Sequence, residues 1–152
     1  MKSIILENIR SAYNVGNMIR TADALWYDVI ISWYSPSPFE DDKVKKTSLW
    51  SENSVKIKQF WNTKEALIYA KKEYWSIVAA EICDKSISLN KFIDKNKIES
   101  IAIVFGNEVD WVLQETLDFV DNIVHIPMKW LKESLNVWQS SAIFMYMINN
   151  YN

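Results

Sequence analysis

The chain has few of the residues on which several common kinds of functional site depend. Its 152 residues include one cysteine, Cys83, and one histidine, His125. A single cysteine excludes a disulfide framework or a zinc cluster within the chain, and it fits a reducing cytoplasm. A Ser-His-Asp triad could use only His125, which lies in a predicted strand, so we expect a structural role for this histidine. No Walker phosphate loop and no GxGxxG pattern is present, and we expect no metal.

Long apolar runs and a strong net charge are also lacking. No apolar segment approaches the ~20 residues that span a bilayer, so we expect no membrane association. The N-terminal segment reaches Glu7 too early to be a signal peptide and instead predicts a first strand. Because the net charge is only −2, any contact with nucleic acid must come from local patches. The length predicts one domain covering residues 1–152.

Glycine is unusually rare, whereas tryptophan is abundant. The chain has two glycines and eight tryptophans, although average usage of ~7% would give about eleven glycines. Trp26 and Trp75 each follow a predicted helix and precede a strand, where a glycine commonly ends the helix. Trp111 and Trp130 lie in two loops that follow predicted strands. An indole is poorly suited to a left-handed backbone or to close backbone approach.

We therefore interpret the tryptophans as positions at which the natural protein has glycine. In this hypothesis the source organism reads the UGA codon as glycine, and the printed chain was translated with tryptophan instead. The alternative is an unusual but genuine set of eight tryptophans. The codons decide between the two, because ordinary UGG codons throughout would contradict recoding.

The pattern of apolar runs predicts an α/β fold with a mostly parallel sheet flanked by helices. Strands are predicted at residues 4–7, 28–32, 76–80, 101–105 and 122–126, with an exposed strand at 54–60. Helices are predicted at 15–25, 62–74 and 112–119 and from 136 onward, with a short one around 89–93 in the otherwise polar connection 82–100. Residues 34–54 are predicted to form a loop.

Polar residues gather at two strand ends and one helix start in the last third of the chain. The predicted strand 101–105 ends at Gly106, and the strand 122–126 is closed by Pro127. Asn136 begins the last predicted helix. Ligands of open α/β sheets bind outside the carboxyl ends of the strands, so we expect a ligand site there.

Three segments resemble the motifs of a known family. They are Asn14-Val15-Gly16-Asn17-Met18-Ile19-Arg20-Thr21-Ala22, then Phe105-Gly106-Asn107-Glu108, and then Ile126-Pro127-Met128 with Glu133-Ser134-Leu135-Asn136-Val137. In this order they resemble motifs one to three of the TrmH-type, or SpoU, RNA ribose methyltransferases of the SPOUT superfamily. The resemblance covers nearly the whole chain. At the positions that match Trp26 and Trp130, the family usually has glycine.

This resemblance implies a fold, an activity and a cofactor. A SPOUT-type chain has a deep C-terminal trefoil knot, an expectation that rests wholly on the resemblance because knots are otherwise essentially absent. The implied activity is transfer of a methyl group from S-adenosylmethionine to a ribose 2′-hydroxyl of tRNA or rRNA. The implied assembly is a homodimer, for which the helix 139–148 could supply an interface.

The resemblance also assigns roles to individual residues. It implies that Arg20 activates the ribose hydroxyl, and that Asn14, Glu108, Ser134 and Asn136 are the other polar residues needed for activity. It implies cofactor contacts from Gly106, Ile126 and Leu135, with Met128 nearby.

One departure and two alternative functions stay open at this stage. Trp138 stands where the family often has serine, which puts a hydroxyl role at that position in doubt. One alternative is a catalytically idle knotted protein that only binds RNA, against which the five intact polar residues argue. The other is a binding domain for a different nucleotide, against which the missing phosphate loop argues. The loop 34–54 is either a solvated connection or a lid that faces the RNA.

Overall fold

The computed structural model describes residues 1–129 and 134–151 of the chain. Strands and helices alternate through these residues. The strands are β1 (Lys2–Leu6), β2 (Asp28–Ser32), β3 (Ile57–Phe60), β4 (Ser76–Ala80), β5 (Ile87–Ser88), β6 (Ile101–Phe105) and β7 (Asn122–His125). The helices are α1 (Ala12–Leu25), α2 (Asp42–Ser48), α3 (Thr63–Glu73), α4 (Leu89–Lys95), α5 (Gln114–Phe119) and α6 (Val137–Asn150).

All described strands belong to one parallel sheet. Their order is β3-β2-β1-β6-β4-β7-β5, and each neighbouring pair is parallel. The central strand β6 is buried at all five residues, as a strand covered on both faces should be. The predicted α/β fold with a mostly parallel sheet is confirmed. Because every strand points the same way, the loops after β1, β4, β6 and β7 meet at one edge.

Helices cover both faces of the sheet and bury two apolar layers. Met18 of α1 and Phe144 of α6 lie in the larger layer, where Phe144 meets Phe105 edge to face with ring centroids 5.7 Å apart. Leu67 and Ala70 of α3 lie in the smaller layer on the opposite face. Each fully buried aliphatic or aromatic side chain contributes roughly 1.5–3 kcal/mol, so the two layers hold the strand ends in fixed positions.

Polar side chains determine where several helices begin. Ser11 Oγ accepts a hydrogen bond from Asn14 N at 3.3 Å, so α1 begins at Ala12, three residues before its predicted start. The predicted cap of α3 is confirmed, because Asn62 Oδ1 accepts from Glu65 N at 2.9 Å. The predicted start of α6 is also confirmed, since Asn136 Oδ1 accepts from Trp138 N at 3.1 Å. Each such cap is worth about 1 kcal/mol.

Two predicted connections contain regular structure. Within residues 34–54, predicted as a loop, lie α2 and a short 3-10 turn, and Val44 is the one buried apolar residue of α2. One buried apolar residue gives no periodicity, which is why the sequence pattern missed this helix. Within residues 82–100, the two-residue strand β5 pairs with β7. A strand of two residues shows no alternation that a sequence pattern could detect.

Three tryptophans have the left-handed backbone expected of glycine. The φ angles are 61° at Trp26, 74° at Trp50 and 63° at Trp111. The prediction for Trp75 is wrong, because α3 ends with an extended Tyr74 and Trp75 has no positive φ. Six of the seven tryptophans in the described residues are exposed, although tryptophan is usually well buried. The backbone therefore supports recoding at three positions, while Trp130 lies outside the described residues.

The expected trefoil knot depends on the path of the chain between Lys129 and Ser134. That path lies outside the described residues, so the knot stays a prediction. Among residues 1–129 and 134–151, no helix is long and apolar enough to cross a membrane.

Candidate active site

A pocket of about 360 Å³ opens at the carboxyl edge of the sheet. Its walls come from the ends of β4, β6 and β7 and from the segment that leads into α6. Phe105 and Phe144, which meet edge to face, both line it. The volume lies within the range of roughly 300–1,000 Å³ that is usual for small-molecule sites. The pocket therefore occupies the crevice that the strand order predicts for a ligand.

The residues for which the family resemblance implies cofactor contacts line this pocket together. They are Gly106, Ile126, Met128 and Leu135. Gly106 follows β6, Ile126 follows β7, and Leu135 precedes α6, so three separate segments contribute. Leu135 is 38% exposed, which suits a residue that packs on a ligand better than one that packs in a core. Their contacts with a cofactor remain a prediction.

Gly106 is required by close packing of the loop that follows β6. A Cβ at Gly106 would lie 2.2 Å from the backbone carbon and oxygen of Trp111, much closer than carbon atoms approach. Asn107 organises the same loop, because its Oδ1 accepts hydrogen bonds from Val109 N and Asp110 N at 2.7 Å each. The loop therefore folds back on itself and presents Gly106, Asn107 and Glu108 to the pocket.

Two contacts join the loop after β6 to the start of α1. Asn14 Nδ2 donates a hydrogen bond to Glu108 Oε1. Arg10 forms an ion pair with Asp110 at 2.9 Å, and because both side chains are exposed it contributes little stability. Asn14 is buried whereas Glu108 is exposed, so the carboxylate stands at the pocket rim with one oxygen bound to the amide. The structure thus brings the first two motifs into contact.

Ser134 and Asn136 contribute to the same pocket from the segment immediately before α6. Both line the pocket, and both are exposed. Asn136 Oδ1 is used in capping α6, so its Nδ2 is the group left to face a ligand. Four of the five predicted catalytic residues therefore lie at or next to one pocket: Asn14, Glu108, Ser134 and Asn136. Their catalytic roles remain predictions.

Arg20 lies apart from this group. It is exposed on α1 and does not line the pocket of its own chain in the part that the structure describes. At about 3.6 residues per turn, the six-residue step from Asn14 turns Arg20 roughly 120° away from the direction of Asn14. Within one chain, the described structure does not bring Arg20 to the other predicted site residues.

The charge around the pocket favours a cationic ligand. Glu81 and Glu108 line it, and among the described residues no lysine or arginine does. Glu7, which directly follows β1 and does not line the pocket, is fully buried. Burial raises the pKa of Glu7 above its ordinary value, and hydrogen bonds from Thr116, Leu113 and Thr63 oppose that rise. In the described residues, no cluster of three or more histidine, cysteine, aspartate or glutamate side chains could hold a metal.

Sequence reasoning missed two residues at this edge and gave a third only a structural role. Glu81 directly follows the predicted strand 76–80, and an acid at the end of a buried strand was an available signal for it. Glu7 follows β1 in the same way. His125 lines the pocket through its place at the end of β7. Ser86 Oγ donates to Cys83 O at 2.7 Å and therefore accepts from His125 Nδ1 at 2.8 Å, a contact consistent with the expected structural role.

Comparison with known proteins gives concordant matches over nearly the whole chain. The model of the SpoU rRNA Methylase family matches residues 1–146. A tRNA (guanosine(18)-2′-O)-methyltransferase of Borreliella burgdorferi is 31% identical over 148 residues, which are 96% of this chain and 65% of that protein. A 23S rRNA (guanosine-2′-O-)-methyltransferase of Blochmanniella floridana is 29% identical over 94% of this chain and 55% of its own length. The chain thus spans 55–65% of these two relatives.

A solved structure gives the same result for the fold. The AdoMet-bound rRNA methyltransferase of Sinorhizobium meliloti superposes with a TM-score of 0.85 at 22% identity, over 97% of this chain and 55% of that one. At this identity the likeness shows the fold alone. The family match extends from β1 through most of α6 and includes all three motifs. The chain therefore belongs to the SpoU rRNA methylase family, within the SPOUT superfamily.

Proposed function

We propose that this chain transfers a methyl group from S-adenosylmethionine to a ribose 2′-hydroxyl of tRNA or rRNA. The observation that supports it most is the convergence of three motifs of the family on one pocket. Asn14 binds Glu108, and Glu108, Ser134 and Asn136 all line the pocket. Residues 1–152 are proposed to act as one domain in the cytoplasm, a location suggested only by the single cysteine.

The pocket suits S-adenosylmethionine in chemistry as well as in size. Its apolar walls, which include Phe105, Val124 and Phe144, fit the adenine ring and the carbon atoms around the sulfonium. The exposed carboxylate of Glu108 complements the ammonium and sulfonium charges, whereas both oxygens of Glu81 accept hydrogen bonds from backbone amides. The cofactor would supply the methyl group on an electrophilic sulfonium. Backbone groups around Gly106, Ile126 and Leu135 would hold the nucleoside and the methionine part of the cofactor.

The polar residues then have distinct tasks in methyl transfer. A ribose hydroxyl is a weak nucleophile at neutral pH, so its proton must be removed or its developing charge stabilised. An arginine is a poor general base because its pKa exceeds ~12, but its planar guanidinium clamps phosphate and stabilises an ionised hydroxyl. We assign this task to Arg20. Asn14 and Glu108 would orient the ribose beside the methyl group, and Ser134 and Asn136 would fix its position from the segment before α6.

We propose that the active protein is a homodimer in which Arg20 of one copy reaches the pocket of the other. The support is geometric, because Arg20 is exposed and does not line the pocket of its own chain in the described residues. The helices α1 and α6 adjoin each other, and each has an exposed aromatic side chain, Tyr13 and Tyr146, which supports this pair of helices as the proposed contact surface. Sedimentation at low micromolar concentration should give a dimer. A monomer at all concentrations would contradict this assembly.

The test of the proposed function combines cofactor binding with analysis of the product. Calorimetry in the presence of a chelator should show binding of S-adenosylmethionine without metal. Incubation with cofactor labelled in its methyl group and total RNA, followed by nucleoside analysis, should then give 2′-O-methylated nucleosides. Labelled base instead of ribose would contradict the reaction. Binding of RNA and cofactor without any transfer would favour the catalytically idle alternative. Both the printed chain and the chain with glycine at its eight tryptophan positions should be measured.

A further inference from the structure

Two carboxylates reach the loop after β6 from the strands on either side of it. In the sheet, β6 lies between β1 and β4. Glu7 directly follows β1, and its N donates to Phe105 O at 2.9 Å. Glu81 directly follows β4, and its N donates to Val124 O at 3.0 Å. Each glutamate is therefore held by its own backbone at the end of a strand, with its side chain beside the loop 106–113.

The two side chains accept hydrogen bonds from successive amides of that loop. Glu81 Oε2 accepts from Val112 N at 3.2 Å, and its Oε1 accepts from Ile82 N at 2.7 Å. Glu7 Oε2 accepts from Leu113 N at 2.9 Å, and its Oε1 accepts from Thr116 Oγ1 at 2.5 Å. All four carboxylate oxygens are occupied. Because a buried carboxylate without partners is costly, these bonds account for the burial of Glu7.

The position of residues 111–113 in turn decides the shape of the pocket. The backbone of Trp111 lies directly against Gly106, where even a Cβ would overlap it at 2.2 Å. Trp111 N also donates to Asn107 O at 3.1 Å, which closes the loop. Any shift of Val112 or Leu113 is therefore passed to Gly106, Asn107 and Glu108, all of which line the pocket.

We propose that Glu7 and Glu81 are positioning residues that fix the loop 106–113 in the shape that binds the cofactor. The proposal rests on the function given above, because it takes S-adenosylmethionine as the ligand. Neither glutamate needs to touch the reacting atoms. Their effect passes through the backbone amides of Val112 and Leu113 to the pocket wall.

Substitutions separate this role from a general contribution to stability. In Glu81→Gln only one acceptor oxygen is left for two amides, Ile82 N and Val112 N. Because Ile82 N is the nearer partner, at 2.7 Å against 3.2 Å, the bond to Val112 N is the one that should be lost. Cofactor affinity should fall at least ~10-fold, as expected when an amide loses a charged acceptor. Glu7→Leu should have the same effect. Glu7→Gln should stay within about 3-fold of wild type, because its oxygen can accept from Leu113 N while its NH2 donates to Thr116 Oγ1.

A matched control is available on the adjoining helix. Glu115 on α5 is exposed, so Glu115→Gln makes the same charge change near the loop and should leave affinity unchanged. Calorimetry with S-adenosylmethionine, well below each variant's Tm, gives the affinities. Amide hydrogen exchange gives a second, ligand-free signal, because Val112 N–H should exchange faster in Glu81→Gln and Leu113 N–H faster in Glu7→Leu.

The outcomes distinguish this proposal from the proposed function. If Glu81→Gln and Glu7→Leu lower the Tm but bind the cofactor as tightly as wild type, the positioning role is refuted. If the unaltered protein does not bind S-adenosylmethionine, the proposed function fails. In that case faster exchange at Val112 in Glu81→Gln than in Glu115→Gln would still support the positioning role, and equal exchange would overturn it.

Discussion

Replacing Trp26 with glycine should stabilise the protein, although it removes the largest of all side chains. Trp26 ends α1 with φ 61° and ψ 49°, and it is 93% exposed, so its removal costs little buried surface. The left-handed conformation costs an L-residue roughly 1–2 kcal/mol, which glycine avoids. Glycine also gives the unfolded chain extra freedom, which costs about 0.4–1 kcal/mol. The net gain should be about 0.5–1 kcal/mol, or roughly 1–4 °C in Tm for a domain of this size.

Trp75 provides the matched control for this substitution. It is also exposed, at 75%, but its backbone is not left-handed. Trp75→Gly therefore bears the entropic cost without any relief of strain, and the Tm should fall by roughly 1–4 °C. Thermal and urea unfolding at one pH would give the free energy of unfolding of each variant. The difference between Trp26→Gly and Trp75→Gly should equal the backbone strain at Trp26, about 1–2 kcal/mol. Equal shifts in the two variants would refute the strain argument, and UGG codons at all eight positions would refute recoding.

The pocket and its surroundings give three more expected outcomes. Gly106→Ala should weaken cofactor binding about 10- to 100-fold in calorimetry, because the added Cβ would overlap the backbone of Trp111. In Gly16→Ala the added Cβ would overlap Thr47 instead, so this variant should lose stability but keep its cofactor affinity. Arg20→Ala should lower single-turnover methylation about 10²–10³-fold with near-normal cofactor affinity, and Arg20→Lys should restore little; equal losses of both would contradict its role. Burial raises the pKa of the Glu7 carboxyl above its ordinary value of 4.5, so the folded protein holds the carboxyl proton more tightly than the unfolded chain does. Glu7 therefore contributes fully to the free energy of unfolding below pH ~4.5, and this contribution declines as the pH rises through the pKa of the folded state. Urea titrations should show that decline in wild type relative to Glu7→Gln, and parallel curves would contradict it.

The order of elements was predictable because the inner strands carry uninterrupted apolar runs. The five residues of β6 are apolar in sequence and fully buried in the sheet, so the pattern and the structure agree. Polar helix caps such as Asn62 can also be recognised from the local sequence, since the capping side chain and the amide of Glu65 that it binds are three residues apart. The helix α2 was not predicted, because it has only one buried apolar residue, Val44, and its backbone packs against Gly16 of α1. That contact is visible only in three dimensions.

The candidate site was predictable only as far as its motifs are local. Gly106, Glu108, Ser134 and Asn136 stand in short segments whose order resembles a family, and the structure places all four around one pocket. Arg20 belongs to the first motif as well, yet it does not line this pocket in the described residues, which the motif alone does not reveal. The partners of Glu7 and Glu81 are backbone amides 106 and 31 residues further along the chain, at Leu113 and Val112. Every residue except proline has a backbone amide, so no sequence pattern marks a particular amide as a partner.

The strand order explains why such distant segments act on one ligand. Since β6 is flanked by β1 and β4, the loop after β6 has the end of β1 on one side and the end of β4 on the other. Asn14 and Glu7, from the segment after β1, and Glu81, from the end of β4, all contact this loop. The remaining wall comes from β7 and the start of α6. A ligand in the pocket therefore contacts loops whose positions are set by four parallel strands, and any change in the packing of β1 or β4 against β6 alters the pocket directly.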